Sequence, residues 1–409
     1  MDAVRDGVTA SAGTAPGQES DHVRRPSLPE MVRFFLWLGA AGFGGPIALV
    51  GYMEREFVER RRWVSRQELK DGLAFSQLAP GPLAAQLAVY LGWLCSGARG
   101  ATLAGAAFVA PSFLMVVALA AGYLRFGGMP WLQGAFYGIG AAVIAIIARS
   151  ATKLARTTVG RDALLWIVFV TNGVVTAWAE SEVVWLFLLS GLVAVLVREG
   201  LDVRRGRLLA LPAPFAAFQL PEWAIGGVQS AGPAATVAAL FLYFASAGLF
   251  VFGSGLAIVP FLHAGVVQQH QWLTERQFLD AVAVALITPG PVVITVAFIG
   301  YLVAGLLGAT AAAVGVFAPV WALTLLLAPY YDRLKRERRV RAFVHGVTAA
   351  ATGAIAGAAY VLGRRAITDG VTAVIAGATF LVLLRGRRVP EPLLMVAAGV
   401  LGVMLATRS

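Results

Sequence analysis

Four short motifs rich in proline and glycine interrupt apolar stretches of this sequence, and their chemistry suits ligand binding. Proline lacks a backbone N–H donor and clashes with the preceding helical turn, so each motif should break a helix. Inside a membrane, broken backbone persists only where protein or water satisfies its polar groups. We therefore expect the breaks to face an interior cavity. The motifs are Phe43-Gly44-Gly45-Pro46, Ala79-Pro80-Gly81-Pro82, Phe252-Gly253-Ser254-Gly255 and Thr288-Pro289-Gly290-Pro291.

A helix that restarts after such a break leaves its first backbone amides without acceptors. These amides and the positive end of the helix dipole form an anion site that needs no charged side chain. Gln77 and Gln86 are the candidate side-chain ligands. The alternative is that the motifs only kink helices or permit close packing. The candidate binding residues are Gly44, Gly45, Pro46, Ile47, Ala48, Gln77, Pro80, Gly81, Pro82, Leu83, Ala84, Gln86, Gly253, Ser254, Gly255, Thr288, Pro289, Gly290, Pro291, Val292 and Thr295.

Charged residues beside the motifs are candidates for steering, gating and coupling. Arg55 and its neighbour Glu54 follow the first motif, and arginine suits bidentate contacts with oxyanions. Asp71 and Asp280 stand at the mouths of the two Pro-Gly-Pro segments, where an acid could carry a coupling proton or close a gate. Asp71 is our first candidate for coupling. The alternatives are solvated charges that set membrane topology, and acids that stabilise a helix N-terminus.

The composition excludes an ordinary soluble protein. Of the 409 residues, 58% are hydrophobic and 13% are charged, against about 25% charged in soluble domains. Cys95 is the only cysteine, which excludes a disulfide scaffold and a Cys-rich metal centre. No nucleotide-binding or catalytic motif is present, so we expect neither an enzyme nor a cofactor or bound metal. The net charge of +11 indicates basic cytoplasmic loops rather than a nucleic-acid surface.

Apolar runs of about 20 residues recur along the chain, and each is long enough to cross a bilayer as a helix. The pattern predicts an all-α, polytopic integral membrane protein with about 10–13 transmembrane helices. Residues 1–30 are predicted to be a disordered cytoplasmic tail, and 198–232 a linker between two halves, 31–197 and 233–409. The apolar runs cover 31–53, 72–95, 101–124, 134–152, 163–178, 183–197, 234–261, 278–302, 308–328, 342–362, 367–384 and 391–406.

The two halves are copies of each other. A shift of 209 residues places Trp63 on Trp272 and Pro80-Gly81-Pro82 on Pro289-Gly290-Pro291, and Asp71 then falls on Asp280. Two such triplets and a tryptophan in register are unexpected by chance. The sequence therefore predicts an internal repeat, from which many secondary transporters are built.

Loop charges indicate how the copies are oriented. The loop 54–70 is strongly basic and its counterpart 263–279 is not, whereas the loop after the third run is basic only in the second copy, at 333–341. Equivalent loops then lie on opposite sides of the membrane, which is an inverted repeat. Six spans per half would instead make the halves parallel. Either a segment near 208–228 crosses as well, or one broken segment is re-entrant in one half only.

At these motifs the sequence resembles the chromate ion transporter family. The first half carries Phe43-Gly44-Gly45-Pro46, the charged loop with Trp63, and Ala79-Pro80-Gly81-Pro82, and the second half fits the two-domain, long-chain members. The resemblance implies a carrier in the bacterial inner membrane that exports chromate, driven by the membrane potential or the proton gradient. The second half departs from the pattern, because Gly255 stands where Pro46 does.

Two other functions stay open at this point. Sulfate or another oxyanion is an alternative substrate, because free amides barely separate two tetrahedral dianions of similar size. A non-transporting membrane scaffold or a membrane enzyme is the alternative of another class. The expected partners are the oxyanion, protons as the candidate coupling ion, and the lipid bilayer. Nucleic acid is not expected, and self-association as a homodimer is open.

Overall fold

The computed structural model describes residues 24–180, 184–199, 233–251, 255, 258–335, 337–385 and 389–406, and this part of the chain is all-α. The first half forms α1 (Leu28–Ala41), α2 (Gly45–Glu54) with a π-helix (Arg55–Arg60), α3 (Arg66–Leu78), α4 (Leu83–Phe126), α5 (Pro130–Thr158), α6 (Ala163–Ala179) and α7 (Val184–Glu199). The second half forms α8 (Pro233–Phe250), α9 (Ile258–Leu262) with a π-helix (His263–Gln269), α10 (Glu275–Ile287), a 3₁₀ turn (Val292–Ile294), α11 (Thr295–Leu327), a 3₁₀ turn (Ala328–Tyr330), α12 (Tyr331–Leu334), α13 (Arg338–Ala366), α14 (Gly370–Arg385) and α15 (Glu391–Ala406).

The repeat is visible in the helix bounds. Helix α10 has the bounds of α3 after the shift of 209 residues, and α13 has those of α5 after a shift of 208. Helix α1 begins at Leu28, where Ser27 and Glu30 form a capping box, so the helix starts three residues before the predicted run. Residues 1–23 of the predicted tail and 200–232 of the predicted linker lie outside the described residues.

The first apolar run of each half does not cross the molecule. In the first half, α1 and α2 run antiparallel, because the rings of Phe34 and Phe57 lie 5.4 Å apart and those of Trp37 and Tyr52 lie 5.9 Å apart. The chain therefore turns back at the Gly-Gly-Pro motif. This is a correction of the sequence-based interpretation, which treats 31–53 as a span: hydropathy measures how long an apolar run is, and says nothing about its direction.

The second run of each half is a hairpin too. Helix α3 packs against the start of α4, with the rings of Phe75 and Tyr90 stacked at 5.2 Å, so the Pro-Gly-Pro motif forms the tip. The chain then reverses again at Ser96 and Gly97, inside α4. Gly97 adopts φ +62°, and the packing of Gly92 against Gly100 lets the two arms, 83–95 and 98–126, lie backbone to backbone.

The second half repeats this geometry. Gly305 also has φ +62° in the middle of α11, and Gly300 packs against Gly308. Each half thus starts with two re-entrant hairpins, followed by longer helices. Four helices in the described residues are long and apolar enough to cross a membrane, and α6, α7, α8, α14 and α15 are shorter apolar helices.

The two halves are inverted relative to each other. Thr102, near the start of the long arm of α4, accepts a hydrogen bond from Trp321 Nε1, near the end of α11, at 3.0 Å. The equivalent arms therefore run antiparallel. At one end of the molecule Tyr123 bonds Asp280, and at the other end Lys335 pairs with Asp71, so the hairpins of the two halves start from opposite faces.

This arrangement partly explains how the two halves can be inverted although each has six apolar runs. Re-entrant hairpins occur in both halves, so the expectation that one half alone contains such a segment is wrong. The remaining option, a crossing near 208–228, lies outside the described residues. The pair between Lys335 and Asp71 also places the two basic loops, 54–70 and 333–341, at one face. We call it the basic face and the opposite one the outer face, because the positive-inside rule assigns basic loops to the cytoplasm.

The halves interlock through their long helices. Helix α5 packs on α14 and α15 of the second half, and α13 packs on α6 and α7 of the first. Gly138 lies against the carbonyl of Ala398, and the equivalent Gly346 lies against the carbonyl of Ser190. Small residues at such contacts let helix backbones approach closely, as is common between helices in membranes.

Adding one methyl group at this contact should destabilise the protein. A Cβ atom on Gly138 would overlap the backbone of Ala398, whereas a Cβ on Gly140, two residues along, meets nothing within 4 Å. We expect Gly138→Ala to cost about 1–3 kcal/mol of stability through overpacking, and Gly140→Ala to be neutral or slightly stabilising. Thermal unfolding in detergent, followed by size-exclusion chromatography, measures both. Equal melting temperatures for the two variants would contradict this packing.

Candidate functional site

The tips of the re-entrant hairpins meet inside the molecule. The amide of Gly81 donates to the carbonyl of Val251 at 2.6 Å, and the amide of Gly290 donates to the carbonyl of Gly42 at 2.9 Å. Val251 and Gly42 are equivalent in the repeat, so the two bonds form a symmetric pair. Each Pro-Gly-Pro tip is thus held by the end of the first helix of the other half.

Glycine is required at both tips for two reasons. Gly81 has φ +138° and Gly290 has φ +99°, a region that favours glycine. A Cβ atom on Gly290 would also collide with the hydroxyl of Ser112, and one on Gly81 would lie 2.9 Å from Val320. Ser112 and Val320 are themselves equivalent in the repeat, so both tips are enclosed by the long arm of the opposite half.

A narrow cavity lies between the tips. It measures about 10 Å³, which leaves room for about one water molecule. In this cavity the structure brings together residues of all four motifs: two residues each from the first and the last motif, and one each from the other two. Its lining residues are Gly45, Pro46, Leu49, Pro82, Leu83, Ala84, Gly255, Gly290, Pro291, Val292 and Val293. Gly253 and Ser254 lie outside the described residues.

Free amides border this cavity. The amide of Gln86 donates to the carbonyl of Pro82 at 2.9 Å and makes the first bond of the restarted helix. The amides of Leu83 and Ala84, which line the cavity, therefore precede the helical ladder. In the second half the restart is a 3₁₀ turn, in which Ile294 donates to Pro291 at 3.0 Å and Val292 and Val293 come first.

Three of the predicted side-chain ligands donate hydrogen bonds to backbone carbonyls in this structure. Gln86 is buried and its Nε2 donates to the carbonyl of Pro80 at 2.5 Å, so it bridges the break. The hydroxyl of Thr288 donates to the carbonyls of Val284 and Ala285 at 3.0 and 3.1 Å, and that of Thr295 donates to the carbonyl of Val292 at 2.8 Å. These three side chains satisfy broken backbone, as a break inside a membrane requires.

Some predicted residues point away from the cavity. Gln77 is exposed, and Ile47 is 63% exposed. Neither they nor Ala48 line the cavity, while Pro80, Gly81 and Pro289 form the tips around it. The groups that this cavity presents to a ligand are backbone amides in an apolar wall. None of its described lining residues has a charged side chain.

The charged candidates lie at the two faces of the molecule. Glu54 pairs with Arg66 at 3.8 Å, and Arg55 is exposed at the basic face. Asp71 pairs with Lys335 Nζ at 3.6 Å. Asp280 is buried near the outer face and accepts a hydrogen bond from Tyr123 at 2.7 Å.

Sequence reasoning missed Tyr123 and Lys335 as partners of these two acids. The repeat itself carried a signal for them. A shift of 208 residues places Tyr123 on Tyr331 and Gly127 on Lys335, so the equivalent acids have partners from equivalent segments of the opposite half.

The tip geometry predicts a measurable cost for Gly290→Ala. The substitution introduces both a collision with Ser112 and backbone strain at φ +99°. Combining it with Ser112→Gly should relieve the collision and leave the strain, about 1–2 kcal/mol, together with the loss of the Ser112 hydrogen bond to the carbonyl of Gly39. Gly305→Ala is the matched control, because φ is +62° there and nothing lies within 4 Å. Thermal unfolding of the four proteins tests this, and a double variant no more stable than Gly290→Ala would contradict it.

Comparison with known proteins identifies the family. The model of the chromate transporter family matches residues 29–195 and 238–403. A chromate transport protein of Cupriavidus metallidurans is 52% identical over 92% of this chain and 93% of its own length. A probable chromate transport protein of Synechococcus elongatus is 50% identical over 92% and 95%, and a chromate transport protein of Pseudomonas aeruginosa is 34% identical over 87% of each chain. No solved structure matches the chain. This protein therefore belongs to the chromate transporter family, a family of multi-pass membrane transporters and not of enzymes.

Proposed function

We propose that this protein exports chromate across the bacterial inner membrane, driven by the proton-motive force. The observation that carries the proposal is the symmetric meeting of two broken hairpins, whose first amides border one cavity between inverted halves. Binding at such a repeat interface, with helix N-termini directed at the anion, is a recognised construction for secondary transporters.

The cavity suits a dianion in its chemistry. Chromate is a tetrahedral oxyanion, and backbone amides at helix N-termini bind such groups without a counter-ion. None of the described residues that line the cavity is acidic. A cavity of about 10 Å³ is far too small for chromate, so the tips must move apart for the anion to bind.

The bonds between the tips suggest how the cavity opens. Each of the two equivalent bonds, Gly81 to Val251 and Gly290 to Gly42, links a tip to the opposite half. Because the halves are inverted, separating one tip would open the cavity toward one face, and separating the other would open it toward the opposite face. This is alternating access by two symmetric movements.

The charge distribution supports outward transport. The basic face carries the arginine-rich loop 54–70 and the loop 333–341. At the outer face, Arg365 is held by Glu180 and Glu275. Positive potential concentrates anions at the surface that carries it, so chromate is expected to collect on the cytoplasmic side.

Transport by inside-out vesicles tests the proposal. Vesicles made acidic inside should accumulate labelled chromate, and Gly81→Ala with Pro82→Ala should lower uptake at least about tenfold, which is about 1.4 kcal/mol of activation free energy. Gly122→Ala is the control, since nothing lies within 4 Å of its Cβ position. Full uptake by the tip variant, inserted at the normal level, would contradict this function. Stronger inhibition by sulfate than by unlabelled chromate would make sulfate the preferred substrate.

The basic face predicts a salt-dependent effect of Arg55. At low ionic strength we expect Arg55→Gln to raise the KM for chromate in inside-out vesicles about two- to threefold, because less anion collects at the surface. At about 1 M salt the Debye length falls to about 3 Å and the difference should vanish. Arg125→Gln, at the other face, should leave the KM unchanged at either salt concentration. An effect of Arg55→Gln that persists at high salt would instead indicate direct contact with the anion.

A further inference from the structure

A second cavity opens at the outer face, apart from the cavity between the tips. It measures about 160 Å³ and lies beside the turn that joins α4 to α5. Gln133 and Arg276 at its rim are exposed, whereas Asp280 at its base is 3% exposed. Tyr123, Gly127 and Phe136 complete the wall.

Among the described residues the carboxylate of Asp280 makes no ion pair, and Arg276 at the rim of the same cavity acts on it only from beyond ion-pair distance. Its one hydrogen bond comes from the hydroxyl of Tyr123 at 2.7 Å, and no cation lies within ion-pair distance among the described residues. Burial of a carboxyl group without a cation favours the protonated, neutral form. Asp280 can therefore take up a proton, and the cavity supplies a path for it from the outer face.

Its counterpart in the first half has a different environment. Asp71 pairs with Lys335 Nζ at 3.6 Å, and its side chain is 28% exposed. The position equivalent to Lys335 is Gly127, which lines the outer cavity. One position thus distinguishes the two sites: a lysine pairs with Asp71 at the basic face, while a glycine leaves Asp280 beside open space.

The other charged and titratable groups near this site make their hydrogen bonds and ion pairs with other residues, although Arg276 also acts electrostatically on Asp280. Arg276 precedes Asp280 by one turn of α10, and its Nη2 donates to the carbonyl of Gln133 at 3.3 Å. Glu275 faces away and binds Arg365 and His263, the latter at 2.8 Å. Arg125, at the end of α4, lies over the ring of Phe126 at 5.7 Å. The packed faces of α5 and α11 contribute Phe136 and Phe298, whose rings lie 5.5 and 5.4 Å from that of Tyr123.

We infer that Asp280, and not Asp71, is the carboxylate that takes up the coupling proton from the outer face. This inference rests on the proposed function and assigns its coupling ion to a residue. A proton from outside adds to a carboxylate oxygen of Asp280 and gives the neutral acid, with no other bond formed or broken. The same proton leaves toward the cytoplasm once Asp280 is accessible from that side.

The position of Asp280 connects its protonation to the anion site. Nine residues separate it from Pro289, about 13 Å along α10. The neutral acid is stable in the packed, buried position, whereas the ion requires water. Its protonation therefore changes how the start of α10 packs against α4 and α5, and α10 carries the tip that closes the anion cavity.

Inside-out vesicles separate coupling from binding. Two uptake modes are compared for labelled chromate: accumulation driven by an acidic lumen, and exchange against unlabelled chromate without a gradient. We expect Asp280→Asn to lose the stimulation by the gradient, at least about tenfold in the wild type, while exchange continues. Asp71→Asn should keep the stimulation. Asp369→Asn is the matched control, because the hydroxyl of Tyr137 bonds Asp369 at 2.5 Å in an exposed loop and holds the pKa of that carboxyl below its usual range.

A second variant decides the case if Asp280→Asn inserts poorly. Tyr123→Phe removes the hydrogen bond that favours the ionised carboxylate, so the pH for half-maximal gradient-driven uptake should rise by about one unit. Gradient-driven uptake by Asp280→Asn, loss of exchange together with coupling, or an unchanged pH profile in Tyr123→Phe would each overturn the assignment. Absence of chromate uptake by the wild type in both modes would instead reject the proposed function itself.

Discussion

The structure depends on how two broken helices satisfy their backbone inside a membrane. An unpaired amide or carbonyl in hydrocarbon costs several kcal/mol, so a Pro-Gly-Pro break needs a partner from elsewhere. The partner here is the end of the first helix of the other half, through the bonds from Gly81 to Val251 and from Gly290 to Gly42. Neither half can satisfy its own tip in this way. The inversion of the halves, the packing of long helices from each half on the other half, and the enclosed cavity are all consistent with this requirement.

Side chains inside the tips complete the same task. Gln86, Thr288 and Thr295 each donate to a backbone carbonyl near a break. The sequence suggested that these residues bind the ligand, because polar groups beside a break suit either use. In this structure their donors bond backbone carbonyls, and their contact with the ligand stays a prediction. An anion site made of backbone amides is the proposal that these contacts favour, and its specificity would come from size and charge rather than from side-chain contacts.

Sequence reasoning reached the features that depend on local chemistry. Proline and glycine indicated the breaks, the shift of 209 residues indicated the repeat, and the basic loops 54–70 and 333–341 indicated inversion. Sequence reasoning did not predict the hairpins. The apolar runs 72–95 and 101–124 are separated where α4 reverses, at Gly97 with φ +62°, but hydropathy does not indicate that the second run folds back on the first. The contact between Tyr123 and Asp280 joins residues 157 positions apart, so no local pattern predicts it.

Symmetry alone would give a carrier without a preferred direction. If the two halves were identical as well as inverted, each face would present the same groups, and only the gradients across the membrane would set the direction of transport. The halves differ where this matters. Lysine faces Asp71 at the basic face and glycine faces Asp280 at the outer face, so the two equivalent acids differ in charge environment and in access to water. In the proposed mechanism the inverted repeat gives one state open to each face, and the difference between Lys335 and Gly127 makes these two states unequal.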